Sequence, residues 1–189
     1  GDGAVITDPV TCAYHSQDVF ATGPTVAAVI RPTSIRHLAK TVKVLTTAGI
    51  AIFPRGGGYS YTDAYLPTCP NGVSLDTSGL NQVLEISTED MFVTVQAGCT
   101  WEALDNALAP HGVRAEFWGP LSGFKATIGG AMSQGAASLG SSKDGISAEA
   151  VLGMEIVTAD GTVFATGSAA QDGKSPFFRN YGPDLTGLF

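Results

Sequence analysis

The chain has few charges, few cysteines and no long apolar run, and each shortage excludes a class of protein. Only 14% of its residues are charged, and 10 basic against 17 acidic side chains give a net charge of −7, which argues against nucleic acid as a partner. Three widely spaced cysteines form no Cys-x-x-Cys pair, so we expect neither a zinc site nor a disulfide framework. No apolar stretch approaches the roughly 18 residues that span a bilayer, so no membrane partner is expected.

What is left is a globular chain able to bury a substantial core, since 44% of its 189 residues are hydrophobic. No metal site is predicted. The chain begins with Gly1 rather than Met, so a processed segment could precede it and the localisation stays open. Reduced, unpaired cysteines favour the cytoplasm.

Glycine, by contrast, is abundant, and its densest run follows an apolar segment, Ile50 to Phe53, that predicts a buried strand. The residues after it read Pro-Arg-Gly-Gly-Gly-Tyr-Ser-Tyr-Thr, positions 54–62. Three consecutive glycines let backbone N–H groups turn toward an anion, and Ser60 and Thr62 add hydroxyl donors. In so acidic a chain, oriented amides rather than a basic patch would hold a phosphate or pyrophosphate. A loose glycine-rich connection is the alternative.

The surrounding pattern alternates helix and strand. Ser34 predicts the N-cap of a helix with apolar residues at 35, 38, 42 and 45, which Gly49 ends. Strands are predicted at 73–75, 82–86 and 91–96, and Thr100 caps a helix that places Trp101, Leu104 and Leu108 on one face. Thr127 is a third predicted cap. Residues 151–165 predict a hairpin with a two-residue Asp160-Gly161 turn.

Taken in order, these segments resemble the flavoproteins of the vanillyl-alcohol oxidase and p-cresol methylhydroxylase (PCMH) family. The similar parts are the entry strand at 25–32, the glycine loop, the Gly98-x-x-Trp101 step, the second glycine motif at 127–130, the strand at 151–157 with Asp160-Gly161, and the segment 181–189. The resemblance covers nearly the whole chain. It implies an α+β, two-lobed FAD-binding domain, with one lobe at about 1–80 and the other at about 81–189.

The resemblance also assigns residues to FAD. The pyrophosphate would lie on the loop that begins at Arg55 and comprises Gly56, Gly57, Gly58, Tyr59, Ser60 and Tyr61. The flavin, ribityl and ribose portion would be lined by Ser122, Thr127, Gly129, Gly130, Ser133 and Gly140. Val157 would contact the adenine end through its backbone. Because histidyl-linked members carry histidine where this chain has Tyr59, and cysteinyl-linked members need a cysteine near 121–127, the resemblance implies noncovalent FAD.

The family continues beyond the equivalent of Phe189 with a strand that completes the cofactor lobe and with a substrate domain. We therefore expect this FAD-binding domain to be incomplete at its C-terminus and the substrate domain to be absent. The expected function is part of an oxidase or dehydrogenase that takes hydride from an alcohol, hydroxy acid, sugar or phenol onto flavin N5. Catalytic residues are not assigned, and substrate would be held through the missing domain. Self-association or a partner subunit is expected to cover the apolar end, and a nucleotide-binding module without catalysis is the alternative.

Three other motifs are incomplete in this sequence. Residues 167–175 nearly form a P-loop, but five residues rather than four separate the glycines. Residues 131–135 nearly form a nucleophile elbow at Ser133, yet an α/β-hydrolase needs a histidine after its serine, and His15, His37 and His111 all precede it. Tyr61 stands where a Rossmann fingerprint has its third glycine.

Several single residues have structural explanations that compete with functional ones. Arg55 could steady the glycine loop through a salt bridge or contact phosphate. Asp63 and Tyr65 lie near the loop in sequence but are expected to be solvated. Phe117 and Trp118 are expected in the core rather than against the flavin.

Overall fold

A computed structural model of the chain describes residues 3–116, 122–137, 139–170 and 183–189. The predictions for Phe117 and Trp118, for most of the P-loop-like run, and for Tyr181 and Gly182 lie outside these residues. The described chain contains the strands β1 (Gly3–Ile6), β2 (Ala28–Pro32), β3 (Ile52–Arg55), β4 (Val73–Asp76), β5 (Val83–Ser87), β6 (Phe92–Val95), β7 (Glu155–Val157) and β8 (Val163–Ala165). Its helices are α1 (Pro9–Tyr14), α2 (Ile35–Thr47), α3 (Trp101–Leu108), α4 (Ile128–Ser133) and α5 (Ser141–Asp144).

The first four strands form one sheet in the order β1-β2-β4-β3. Strands β2, β4 and β3 run parallel, whereas β1 pairs antiparallel with β2. The register pairs Ile52 with Val73 and Arg55 with Asp76. Parallel strands end at the same edge of a sheet, which is where open sheets bind ligands. The glycine loop leaves β3 at this edge.

Helix α2 covers one face of this sheet, as its apolar spacing predicts. The Ser34 hydroxyl accepts a hydrogen bond from the His37 N–H at 3.2 Å, and Gly49 adopts a φ of +69° just past the helix end. Val42 and Leu45 are buried against Ile30 and the residues of β4. Burying each such side chain contributes about 1.5–3 kcal/mol, so packing rather than propensity holds the helix.

The second half builds its own apolar cluster around α3. The Thr100 hydroxyl accepts from the Ala103 N–H at 3.1 Å, which confirms the predicted cap. Trp101, Leu104 and Leu108 face inward against the antiparallel pair β5–β6. The division into lobes near residue 80 is untested and stays a prediction.

The hairpin β7–β8 exists, but its turn is not the predicted two-residue type. Thr158 and Thr162 pair through a 3.0 Å backbone hydrogen bond, so three residues separate them, and Gly161 takes a φ of +79°. This is a three-residue connection in which glycine occupies the left-handed position. The hairpin packs on α2, where the Thr46 hydroxyl donates to the Ala159 carbonyl at 2.7 Å.

The N-terminal helix α1 has no counterpart among the sequence predictions. Asp8 caps it by accepting from the Thr11 N–H at 2.9 Å, and Pro9 occupies its first turn. An acidic cap followed by proline is a helix-start signal that the sequence offers. The helix matters because its last residue, Tyr14, reaches the glycine loop. Among the described helices, none is both long and apolar enough to cross a membrane.

Candidate functional site

The glycine loop presents five consecutive backbone N–H groups, from Gly56 to Ser60, that donate to no acceptor in the described part of the chain. These residues are half-buried. Buried backbone N–H groups nearly always have a partner in the protein or in water, so half-buried ones without a partner in the described chain are available to a ligand. Successive amides in a concave loop are a ready-made anion site.

The glycines themselves are required by close packing against residues 125–130. A Cβ on Gly57 would strike the carbonyl oxygen of Lys125, and one on Gly56 would strike the Thr127 hydroxyl. From the sequence alone, close approach of the ligand explains these glycines. The structure shows that the segment at 125–130 also requires them, because it packs directly against the loop.

Gly58 is constrained twice. Its φ is +74°, a conformation that side chains with a Cβ rarely adopt. An added Cβ would also lie 2.5 Å from Nη2 of Arg55. Both features favour glycine at this point of the loop.

Arg55 lies beneath the loop rather than on its surface. The residue is only 4% exposed, and its Nη1 donates to the Gln17 carbonyl at 2.7 Å. The guanidinium carbon is 5.2 Å from the ring centre of Tyr14 and 4.6 Å from that of Tyr65. A carbonyl and two aromatic faces therefore occupy Arg55, which favours loop support over phosphate contact.

Tyr65 contradicts its predicted place in a solvated loop. It is 7% exposed, and its hydroxyl donates to the Gly58 carbonyl at 2.7 Å. The error arises because the partners of Tyr65 come from elsewhere in the chain: the Arg55 guanidinium gives its ring a buried site. Asp63 is exposed, as expected, with a φ of +56°.

Two carboxylates meet beside this assembly. Hydrogen bonds from the Phe20 and Ala21 N–H groups lower the pKa of Asp18, with a contribution from the Arg55 charge. A hydrogen bond with Asp18 raises the pKa of Asp63. The Arg55 charge therefore acts on Asp18 as well as on the two aromatic rings.

A buried polar network underlies the ends of β3 and β4. Asp76 accepts from Arg31 Nε at 2.8 Å and from the Ser78 N–H at 2.9 Å. Burial alone would raise the pKa of Asp76, but these hydrogen bonds outweigh it and leave the pKa low. His15 contacts Ser74 Oγ at 3.0 Å, and burial lowers the pKa of its imidazole. The network fixes the edge from which the loop departs.

The second glycine motif uses its own amides internally. Thr127 is the N-cap of α4, as predicted, and accepts from the Gly130 N–H at 3.2 Å. The Ile128 and Gly129 N–H groups donate to Cys99 and Ala97, each at 2.8 Å. The motif can therefore offer a ligand its surface and side chains, but these amides are already bound.

Further contacts join the two motifs. The rings of Tyr59 and Phe124 meet edge to face at 5.9 Å, and Thr62 Oγ1 donates to Gln134 Oε1 at 3.3 Å. Ser133 donates to the Gly129 carbonyl at 2.9 Å, and Ser122 accepts two backbone hydrogen bonds, from Lys125 and Ala126. The structure thus brings Gly56, Gly57 and Tyr59 together with the segment that contains the predicted lining residues Ser122, Thr127, Gly129, Gly130 and Ser133.

Tyr61 lies within the loop, but its side chain is 69% exposed. Two other predicted site residues stand apart from this junction. Gly140, with a φ of +106°, precedes α5, and no described hydrogen bond joins it to the glycine loop. Val157 packs against the core beneath α2, and the described core clusters and hydrogen bonds give it no contact with the loop. Their assignment to a cofactor remains a prediction.

Comparison with known proteins identifies the class. Residues 26–167 match the family described as FAD binding domain, so the chain belongs to that family and binds FAD. The fold matches p-cresol methylhydroxylase with substrate bound (TM-score 0.78, 21% identity, 98% of this chain and 37% of that one). It also matches 4-ethylphenol oxidase from Gulosibacter chungangensis (TM-score 0.74, 25% identity, 97% and 36%). The expected α+β fold of the PCMH type is confirmed.

The relatives found by sequence are named as dehydrogenases, oxidases and oxidoreductases. The chain is 29% identical to D-lactate dehydrogenase (cytochrome) 1 of Saccharomyces cerevisiae, over 85% of this chain and 26% of the relative. It is 30% identical to glycolate oxidase subunit GlcD of Bacillus subtilis, over 86% and 33%. The uncharacterized FAD-linked oxidoreductase YgcU of Escherichia coli is 32% identical, over 86% and 35%. The chain thus spans about a quarter to a third of the length of these relatives.

Proposed function

We propose that the five free amides from Gly56 to Ser60 hold the pyrophosphate of FAD. The observation that carries this is their lack of any acceptor in the described chain, at the edge where the parallel strands end. The charge balance supports it. Within 56–66 and 122–137 the only basic side chain is Lys125, so the site has little side-chain charge with which to bind an anion. Oriented N–H dipoles can replace that charge.

The lining residues of the second motif extend the same site. Ser122, Thr127, Gly129, Gly130, Ser133 and Gly140 would contact the flavin, ribityl and ribose portion, and the backbone of Val157 the adenine. Contacts between the two motifs support this assignment for the residues near Thr127. The Gly129 and Gly130 amides are already hydrogen-bonded within the chain. These two glycines would therefore contribute by having no side chain that blocks the cofactor.

We further propose that the whole protein is an FAD-dependent oxidase or dehydrogenase acting on a small hydroxy acid. The names of two relatives, a D-lactate dehydrogenase and a glycolate oxidase subunit, support this substrate class. Bound FAD supplies a hydride acceptor at N5 of its ring. The residues described here bind and orient the cofactor, and substrate groups are assigned to residues outside this chain.

The cofactor is proposed to be noncovalent. Tyr59 occupies the loop position at which histidyl-linked relatives would carry their attachment residue, and residues 121–127 contain no cysteine. Cys12 and Cys99 are 4% and 0% exposed, and burial raises the pKa of both thiols, so neither is a reactive thiolate at neutral pH.

The decisive experiment is competition against FAD, followed by the change in flavin fluorescence. ADP, which carries the pyrophosphate, is expected to displace FAD, whereas riboflavin, which carries no phosphate, is expected to compete far more weakly. Equal competition by the two would contradict the pyrophosphate assignment. Binding of ADP without binding of FAD would favour a nucleotide module instead.

A further inference from the structure

Two side-chain hydroxyl groups donate hydrogen bonds to backbone carbonyls of the glycine loop. Thr77 Oγ1 donates to the Arg55 carbonyl at 3.2 Å, and the Tyr65 hydroxyl donates to the Gly58 carbonyl at 2.7 Å. The two carbonyls belong to the peptide units that also contain the N–H groups of Gly56 and Tyr59. Both N–H groups are among the five that lack an acceptor in the described chain.

The geometry of the peptide bond links each carbonyl to the amide beside it. No described peptide bond is cis, and in a planar trans peptide the C=O and N–H point in opposite directions. A hydroxyl that holds the carbonyl on one side of the loop therefore turns the N–H to the other. Without it, a peptide flip would present a carbonyl oxygen, whose partial negative charge repels an anion.

Both hydroxyls are themselves held in place. The Tyr65 ring is buried and lies against the Arg55 guanidinium at 4.6 Å. Thr77 begins a 3-10 turn directly after β4, and its own carbonyl accepts from the Leu80 N–H at 2.8 Å. Because neither donor has to become ordered when ligand arrives, the loop is set for binding in the free protein.

We propose that Tyr65 and Thr77 are positioning residues, whose hydroxyls hold two peptide units so that the Gly56 and Tyr59 amides face the cofactor pyrophosphate. This inference rests on the proposed function. It concerns two residues outside the predicted binding set, each acting through the backbone and not by touching the ligand.

The test removes each hydroxyl and keeps the rest of the side chain. Tyr65→Phe and Thr77→Val are each expected to weaken binding of FAD and of ADP by the same factor, about three- to tenfold, the worth of one hydrogen bond. Thr77→Ser, which restores the hydroxyl, is expected to restore affinity. Thr46→Val is the matched control, because it removes a hydroxyl–carbonyl bond, to Ala159, at a distance from the loop.

Wild-type affinity for FAD in both Tyr65→Phe and Thr77→Val would overturn the inference and leave the proposed function standing. A loss of affinity for FAD without a loss for ADP would also overturn the inference, because both ligands contain the pyrophosphate. Failure of Thr77→Ser to rescue would show that the site needs the shape of Thr77 rather than its hydroxyl. If the unaltered chain fails to bind FAD, both the proposed function and the inference are wrong.

Melting temperatures of the ligand-free variants identify any variant that does not fold. If Tyr65→Phe does not fold, the comparison of Thr77→Val with Thr77→Ser still tests the inference.

Discussion

The Cα of Gly57 lies directly against the backbone carbonyl of Lys125, so closely that a single added methyl group would collide with it. This contact joins the two glycine motifs, which are far apart in sequence, into one surface. A substitution in the loop is therefore expected to affect the stability of the fold as well as binding, because the loop must move away from Lys125 before a side chain fits.

Gly57→Ala is therefore expected to weaken FAD binding and to destabilise the fold by about 1–3 kcal/mol, the cost of an overpacked contact. From the sequence alone, Gly57→Val is expected to lose the cofactor with little loss of stability, since the loop is exposed and contributes little core. Gly112→Ala is the control: Gly112 has a φ of +70° and open space around it, so the change costs stability, about 1 kcal/mol, without touching the loop. Fluorescence titration and thermal melting measure the two effects. Unchanged affinity and stability in Gly57→Ala would contradict the contact.

Local signals explain which parts of the fold the sequence predicts correctly. Ser34, Thr100 and Thr127 cap helices through N–H groups three residues ahead, so each cap is readable within a few positions. The predicted two-residue turn after Val157 is wrong because Asp160-Gly161 fits both a two-residue and a three-residue connection, and the register of the strands decides between them.

The support of the site could not be predicted in the same way. Arg55 binds the carbonyl of Gln17, and Thr77 binds that of Arg55, across 38 and 22 positions of sequence. Such pairings depend on the order of strands in the sheet, which no local pattern contains. The burial of Tyr65 depends on how the loop folds back over the Arg55 guanidinium, and the contact of Tyr14 with Arg55 depends on helix α1, which the sequence pattern does not predict.

Lowering the pH is expected to destabilise the ligand-free protein through His15. Burial holds the pKa of this imidazole below its ordinary value in the folded state, despite the opposing pull of Asp76 and aided by Arg55 and Arg31. The unfolded chain then binds the proton more tightly, so stability present above about pH 6.5 is lost as the pH falls through the lower, folded-state pKa. Thermal melts from pH 7.5 to 5 measure this loss.

The variant His15→Gln removes the titrating group and is expected to flatten that part of the pH profile. Asp76 titrates only at lower pH, because its folded pKa is below the ordinary carboxyl value. An unchanged slope between pH 6.5 and 5 in His15→Gln would show that another group is responsible.

Arg31→Gln is expected to destabilise the sheet edge beneath the loop. Asp76 would lose a charged donor at 2.8 Å while staying buried. Such hydrogen bonds contribute about 1.5–3 kcal/mol, and the lower end applies because the Arg31 side chain is 40% exposed. Urea denaturation measures the loss, with the exposed Arg36→Gln as control. Equal stabilities of the two variants would show that the Arg31–Asp76 interaction does not stabilise the sheet edge beneath the loop.

Acid precipitation of the FAD-loaded protein is expected to leave all the flavin in the supernatant. By the family resemblance, Tyr59 replaces the histidine of histidyl-linked members, and burial raises the pKa of the Cys12 and Cys99 thiols, which makes them poor nucleophiles. Absorbance of the supernatant and pellet near the flavin maximum gives the result. Yellow colour that stays with the precipitated chain would show covalent attachment and refute the proposal.

The most direct test of the pyrophosphate site is the change in backbone amide resonances when ADP is added to isotope-labelled protein. We expect the largest shifts on the five N–H groups from Gly56 to Ser60, which have no acceptor in the described part of the free chain. The Gly129 and Gly130 amides, already bound to Ala97 and Thr127, should move far less. Large shifts at those two glycines with a silent loop at 56–60 would contradict the central claim.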